Sequence, residues 1–162
     1  MSGTTAQAPT QARTARFRIF RFKRGDANPH FDRFEVSVGP ATSVLDVLVG
    51  IRRHQDPSLT LRHSCFHASC GTCGMRVNGR EVLACVTNVA ELRASEVTVE
   101  PLQNAGVLLS DLVVDMGPFF ERMAPAGRPL VRASELVAGS RPADGIGTAT
   151  RFEDCIECGI CV

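Results

Sequence analysis

The chain has 162 residues, enough for one ordinary domain and part of a second. Apolar residues make up 44% and charged residues 22%, the balance of a folded globular chain rather than a disordered one, and the formal net charge is +1. The charge is close to balanced and there is no Trp or Tyr, so nucleic acid is not an expected partner and an aromatic membrane belt has no material.

The first sixteen residues lack the apolar core of a secretory signal. They are rich in Ala, Thr and Gln, carry Arg13 and Arg16 and hold no acid. A short bacterial tail over 1–15 is expected, in preference to a mitochondrial presequence. Residues 16–24 alternate Phe17, Ile19, Phe20 and Phe22 with basic residues as a strand does, and Phe34–Val38 repeats the pattern after a turn at Asp26–Pro29. Thr42 or Ser43 then caps a predicted helix, Val44–His54, with Val44, Leu45, Val47, Leu48 and Ile51 on one face. Past the cysteine-rich loop Ser64–Gly74, two short strands flank Asn78-Gly79, a hairpin signal, and Glu96–Glu100 supplies a last strand. These elements predict a compact α+β domain over 16–105.

From 106 to 162 the texture changes. Ser110 caps a predicted helix, Asp111–Met123, with a possible break at Gly117-Pro118, and 124–150 reads as a Pro/Gly/Ala-rich linker. The most apolar stretch, Gly106–Phe120, is interrupted by Asp111 and Asp115 and falls short of the ~20 residues of a spanning helix.

Seven cysteines in two tight groups favour metal ligation over a disulfide framework. Cys65, Cys70 and Cys73 have the spacing C-x4-C-x2-C, and Cys85 follows after eleven residues, the pattern of plant-type [2Fe–2S] centres. One loop can wrap two irons with three thiolates while a hairpin returns the fourth. Ser69, Gly71, Thr72 and Gly74 are small, so backbone N–H groups are expected to reach the sulfurs. A structural zinc site is the weaker alternative. A Rieske centre needs a second histidine beside a later cysteine, and His67 is the last histidine. His63 and His67 are expected as loop residues, and Arg62 and Arg76 as charges near an anionic centre. The second group, Cys155, Cys158 and Cys161, is C-x2-C-x2-C, the opening of a cubane-cluster run, with Gly159 for the turn and Ile156 and Ile160 as screens against water. A cubane takes four protein ligands, so a continuation beyond Val162 is expected.

The segments Arg62-His-Ser-Cys65, Cys70-Gly-Thr-Cys73-Gly-Met75, Val77-Asn-Gly79, Leu83-Ala-Cys85, Val97–Leu102, Asp111–Met116, Phe119-Phe120 and Glu157–Cys161 together resemble the iron–sulfur subunits of succinate dehydrogenase and fumarate reductase. One departure is Phe66, where relatives often carry Arg. The resemblance implies a β-grasp [2Fe–2S] ferredoxin domain, then a linker and the start of an α-helical ferredoxin-like domain. It implies that Cys155, Cys158 and Cys161 ligate a [4Fe–4S] cluster whose fourth ligand lies further on, and that a [3Fe–4S] cluster lies beyond the chain. It also implies a relay of electrons between the FAD of a flavoprotein subunit and quinone at a membrane-anchor subunit with quinone or haem, with this chain peripheral on the cytoplasmic face of a bacterial inner membrane. No residue of the chain is expected to act on the substrate. The rival functions are a ferredoxin-domain module of another oxidoreductase, such as a thiol-dependent fumarate reductase, and a non-redox metal-stabilised adaptor.

Overall fold

The computed structural model describes residues 13–123 and 155–161; the expected tail before residue 13 and the expected linker at 124–150 lie outside the described residues. The first strand, β1 (Arg13–Arg21), begins at Arg13 rather than at residue 16. It sinks Phe17, Ile19 and Arg21 on one side. β2 (His30–Val38) pairs with it antiparallel, setting Phe17 opposite Phe34 and Phe20 opposite Phe31.

The helix α1 (Val44–His54) forms where its pattern places it, and Ser43 is the cap. The Asp46 N–H donates to Ser43 Oγ at 3.1 Å, and the Ser43 N–H donates back to Asp46 Oδ2 at 3.0 Å, a reciprocal box that satisfies two end groups. Arg52, Arg53 and His54 complement the negative end of the helix, while Val44, Leu45, Val47, Leu48 and Ile51 are buried.

β3 (Gly74–Val77) and β4 (Arg80–Leu83) close around Asn78 and Gly79, whose φ values of 48° and 79° are those a type I′ turn demands. β5 (Glu96–Glu100) lies between β1, to which it is parallel, and β3, to which it is antiparallel. The mixed sheet therefore runs β2-β1-β5-β3-β4. A parallel β1–β5 pair needs a long crossover, and here the crossover holds α1, the cysteine loop and the β3–β4 hairpin. This is the ferredoxin-like α+β layout that the resemblance implies.

After β5 the structure departs from expectation. The first part of the helix predicted over Asp111–Met123 instead forms the turn and second strand of a hairpin, β6 (Val107–Ser110) and β7 (Val113–Asp115), and the helix α2 (Gly117–Met123) starts only at Gly117, the expected break. Asp111 is the reason. It takes a left-handed φ of 43° at the turn, and its buried carboxylate accepts from the Phe22 N–H at 3.0 Å, the Thr60 N–H at 2.8 Å, Lys23 Nζ at 2.5 Å and Arg21 Nε at 3.3 Å. Those tertiary partners outweigh a helix preference worth only tenths of a kcal/mol per residue. Pro118 then falls in the first turn of α2, where its missing N–H costs nothing.

The hairpin sends Leu112 into the main core beside Leu59, Leu61 and the sheet. A second apolar cluster forms from Leu102, Ala105 and Val114, with Met116 and Ile160 against it. Among the described residues no helix is long and apolar enough to cross a membrane.

Arg21 is buried as well, and is ion-paired to Asp32 at 2.8 Å, to Asp56 and to Asp111. Burial by itself would raise the Asp111 carboxyl; the bonds from Lys23, Phe22 and Thr60 and the Arg21 charge hold it below the usual range instead. Asp111→Asn keeps a residue that tolerates positive φ while removing the charge. It is expected to cost about 3 kcal/mol of unfolding free energy at pH 7, measured by urea titration. Because the folded carboxyl titrates below its unfolded value of ~3.9, the contribution is whole above about pH 4 and fades as pH falls through the folded value. The two stability curves should therefore converge in acid, and a gap unchanged between pH 7 and pH 3 contradicts the assignment.

Candidate metal centre

The loop between Leu61 and β3 turns three times through left-handed backbone, at Phe66 (φ 62°), Ala68 (61°) and Gly71 (70°). Alternating left- and right-handed residues aim successive N–H groups into one concavity, an arrangement that holds negative charge. At Phe66 and Ala68 this conformation costs roughly 1–2 kcal/mol each, which the bonds made by the loop must offset. Cys65 Sγ accepts from the N–H of Ser69 at 3.3 Å, Cys70 at 3.4 Å and His67 at 3.5 Å. Cys85 Sγ accepts from the Ala68 N–H at 3.3 Å.

Of the small residues expected as donors, Ser69 is one; His67, Ala68 and Cys70 supply the others, and Thr72 reaches Cys70 Sγ through its hydroxyl at 3.1 Å. Gly71 and Gly74 instead lie against residues 156–158. No side-chain signal could have marked the donors, because the N–H of any residue serves once the backbone is turned.

Cys85 stands two residues past the end of β4, in a turn fixed from outside. The N–H groups of Val44 and Leu45, free because they open α1, donate to Thr87 O at 2.9 Å and Ala84 O at 3.0 Å. The Ala84 N–H donates to Cys73 O at 3.1 Å, which locks Cys73 and Cys85 side by side in the core.

The four thiols meet in twos. Cys65 is lowered to about 6, by the His67 N–H first and then by the Cys70 side chain. Cys73 is pushed up to about 11, by burial first and then by bonding and charge from Cys85 and charge from Cys70. One pair, Cys65 with Cys70, is half-buried at the surface; the other, Cys73 with Cys85, is inside. Among the described residues no three His, Cys, Asp or Glu side chains are grouped around a single-ion position. Two thiol pairs under converging N–H groups suit a pair of irons, each taking two sulfurs, and their anionic charge.

The other expected residues are peripheral. Phe66 is exposed with its ring edge-on to His63 at 5.4 Å, and His67 Nδ1 lies 2.5 Å from Cys65 O. Arg76 pairs in register with Glu81 and with Glu100, so carboxylates stand next to it across the sheet.

The second cysteine group is brought beside the first. Cys155 and Cys158 are half-buried and Cys161 is exposed, on backbone bent by Glu157 (φ 54°) and Gly159 (φ 73°). Ile160 anchors the segment in the cluster of Leu102, Ala105 and Val114. A cleft of about 220 Å³ between the two groups is lined by Arg62, Cys70, Thr72, Met116, Ile156 and Cys158, among others.

Residues 16–121 match the 2Fe-2S iron-sulfur cluster binding domain family. The chain belongs to this family. Members bind a [2Fe–2S] cluster, and the matched span contains Cys65, Cys70, Cys73 and Cys85. Among curated relatives, the fumarate reductase iron-sulfur subunit of Wolinella succinogenes is 32% identical over 152 residues, 90% of this chain and 63% of the relative. The mitochondrial succinate dehydrogenase (ubiquinone) iron-sulfur subunit 1 of Oryza sativa subsp. japonica is 40% identical over 116 residues, 68% of this chain and 40% of the relative. The fumarate reductase iron-sulfur subunit of Mycobacterium tuberculosis is 36% identical over 142 residues, 84% and 56% of the two chains. The chain thus spans between 40% and 63% of the length of these relatives. Among solved structures, a chain of the Mycobacterium smegmatis Sdh1 complex in the apo form superposes with a TM-score of 0.75 at 25% identity, over 93% of this chain and 63% of that one.

The unequal thiols give a test on metal-free, reduced protein. At pH 7 a thiol at about 6 is mostly thiolate, whereas a buried one at about 11 is not. Limiting iodoacetamide should label Cys65 well before Cys73, read by peptide mass spectrometry. Equal labelling of the folded protein contradicts the described electrostatics.

Proposed function

We propose that this chain is the electron-transferring iron–sulfur part of a succinate dehydrogenase or fumarate reductase complex, with Cys65, Cys70, Cys73 and Cys85 holding a [2Fe–2S] cluster. What carries the reading is the meeting of two thiol pairs beneath the N–H groups of residues 67–70, in a chain similar to subunits of that name. The cluster, when bound, supplies a one-electron carrier.

The chain's own residues do the rest. The turned backbone stabilises charge on the sulfurs, so the loop need not rearrange when that charge changes. Cys73 and Cys85, packed among Met75, Ala84 and Leu45, keep water from one side of the centre. Cys65 and Cys70 reach the surface, where a redox partner can approach. Cys155, Cys158 and Cys161 supply three ligands of a [4Fe–4S] cluster; its fourth ligand and a [3Fe–4S] cluster come from beyond these residues. The partners in this reading are an FAD-containing flavoprotein and a membrane-anchor subunit that binds quinone, with the chain peripheral at the cytoplasmic face of a bacterial inner membrane. Nothing in the chain is assigned to proton transfer on the substrate.

The test is purification of the full-length protein with a co-expressed flavoprotein. Iron and acid-labile sulfide should be present, and added succinate or dithionite should raise a low-temperature EPR signal that Cys73→Ser abolishes. A sulfide-free protein, or a signal untouched by that substitution, overturns the cluster assignment. A cluster-loaded chain that associates with no flavoprotein overturns the assignment to this complex.

A further inference from the structure

Two glycines of the cysteine loop sit against the second cysteine segment. A Cβ at Gly71 would stand 2.7 Å from Ile156 O and 2.9 Å from Cys158 Cβ; one at Gly74 would stand 3.0 Å from Cys158 O and 3.2 Å from Leu102 Cδ1. Contacts so short leave room for hydrogen alone unless a neighbour gives way.

The two positions differ in what else could require glycine. Gly71 has a φ of +70°, which is sufficient reason by itself. Gly74 has no such φ; it opens β3 and pairs with Leu83, a place where a β-branched residue would favour the strand. Its bare backbone is explained by the approach of Cys158. The segment is also held from its other side: a Cβ at Gly159 would lie 2.8 Å from Met116 Cε and 2.9 Å from Ala105 Cβ, and Ile160 is packed beside them. Held between Gly74 and the Ala105–Met116 surface, the segment can move off Gly74 only as far as the flexible end of Met116 gives way.

We infer that Gly74 is a positioning residue, setting how closely the centre on Cys155, Cys158 and Cys161 sits against the centre on Cys65, Cys70, Cys73 and Cys85, and hence the coupling through which an electron passes between them. The inference rests on the proposed function. Gly74 is bonded to Cys73, and the carbonyl that it meets belongs to Cys158, so one through-space contact joins the immediate surroundings of a ligand of each centre. With both clusters bound, the step would be the loss of one electron by one centre and its gain by the other, with no bond made or broken. A methyl at position 74 forces the Cys158 backbone outward by a few tenths of an ångström, and an isopropyl group forces it further, without altering any thiol.

The experiment uses the full-length protein in its complex, carrying Gly74→Ala, Gly74→Val or, as a control, Gly50→Ala, whose new Cβ in α1 meets nothing within 4 Å. EPR reads the shape and intensity of the [2Fe–2S] signal. Microwave power saturation of that signal, with the second centre oxidised and then reduced, reads the coupling. The first signal should persist in all variants, while the relaxation enhancement caused by the reduced second centre should fall in Gly74→Ala, fall further in Gly74→Val and be unchanged in Gly50→Ala. Enhancement unchanged in Gly74→Val overturns the inference. So does loss of the [2Fe–2S] signal in Gly74→Ala, which would assign the glycine to the first loop itself. Absence of both cluster signals from the unsubstituted complex defeats the proposed function, and this inference with it.

Discussion

Anionic sulfur held at a protein surface needs donors, and here the backbone supplies them. Left-handed turns at Phe66, Ala68 and Gly71 swing the N–H groups of residues 67–70 onto Cys65 and Cys85. Two of the three turns are made by residues with a Cβ, so the loop stores strain that only a strong charge–dipole interaction repays. Side chains are then released from that duty. The Phe66 ring rests against His63 in solvent and takes no part in the donor geometry.

The loop keeps this shape because its neighbours are tied down through unrelated parts of the fold. The opening N–H groups of α1 hold the carbonyls around Cys85, so the capping box at Ser43 and the placement of a thiol belong to one construction. At the other end, the Asp111 carboxylate joins Phe22, the residue after β1, to the chain at Thr60 just before the cysteines and to the β6–β7 turn. That hairpin in turn provides Val114, and Met116 follows it, against the second cysteine segment. Desolvation offsets most of the attraction within a buried ion network, but removing one partner leaves the others buried and unpaired. In this molecule the network ties together the segments on which both cysteine groups rest.

What was legible beforehand has a common character. The Ser43–Asp46 cap, the Asn78-Gly79 turn, the buried face of α1 and the C-x4-C-x2-C spacing each depend on residues a few positions apart, so the pattern carries its own geometry. The strand at 107–110 was illegible for the opposite reason. Ser110 and the apolar run after it satisfy a helix start, and only the distant partners of Asp111 turn that segment into a hairpin.

The division runs through the metal centre as well. By itself the sequence determined which atoms are available, namely seven thiols in two groups, and how tightly each group is strung, because covalent spacing limits reach. Tertiary structure alone decided which thiols are partnered, which is acidic and which is buried, and that Cys158 comes to rest on Gly74. Those properties arise from desolvation and from contacts between segments far apart in the chain, and neither is written in the spacing of the cysteines.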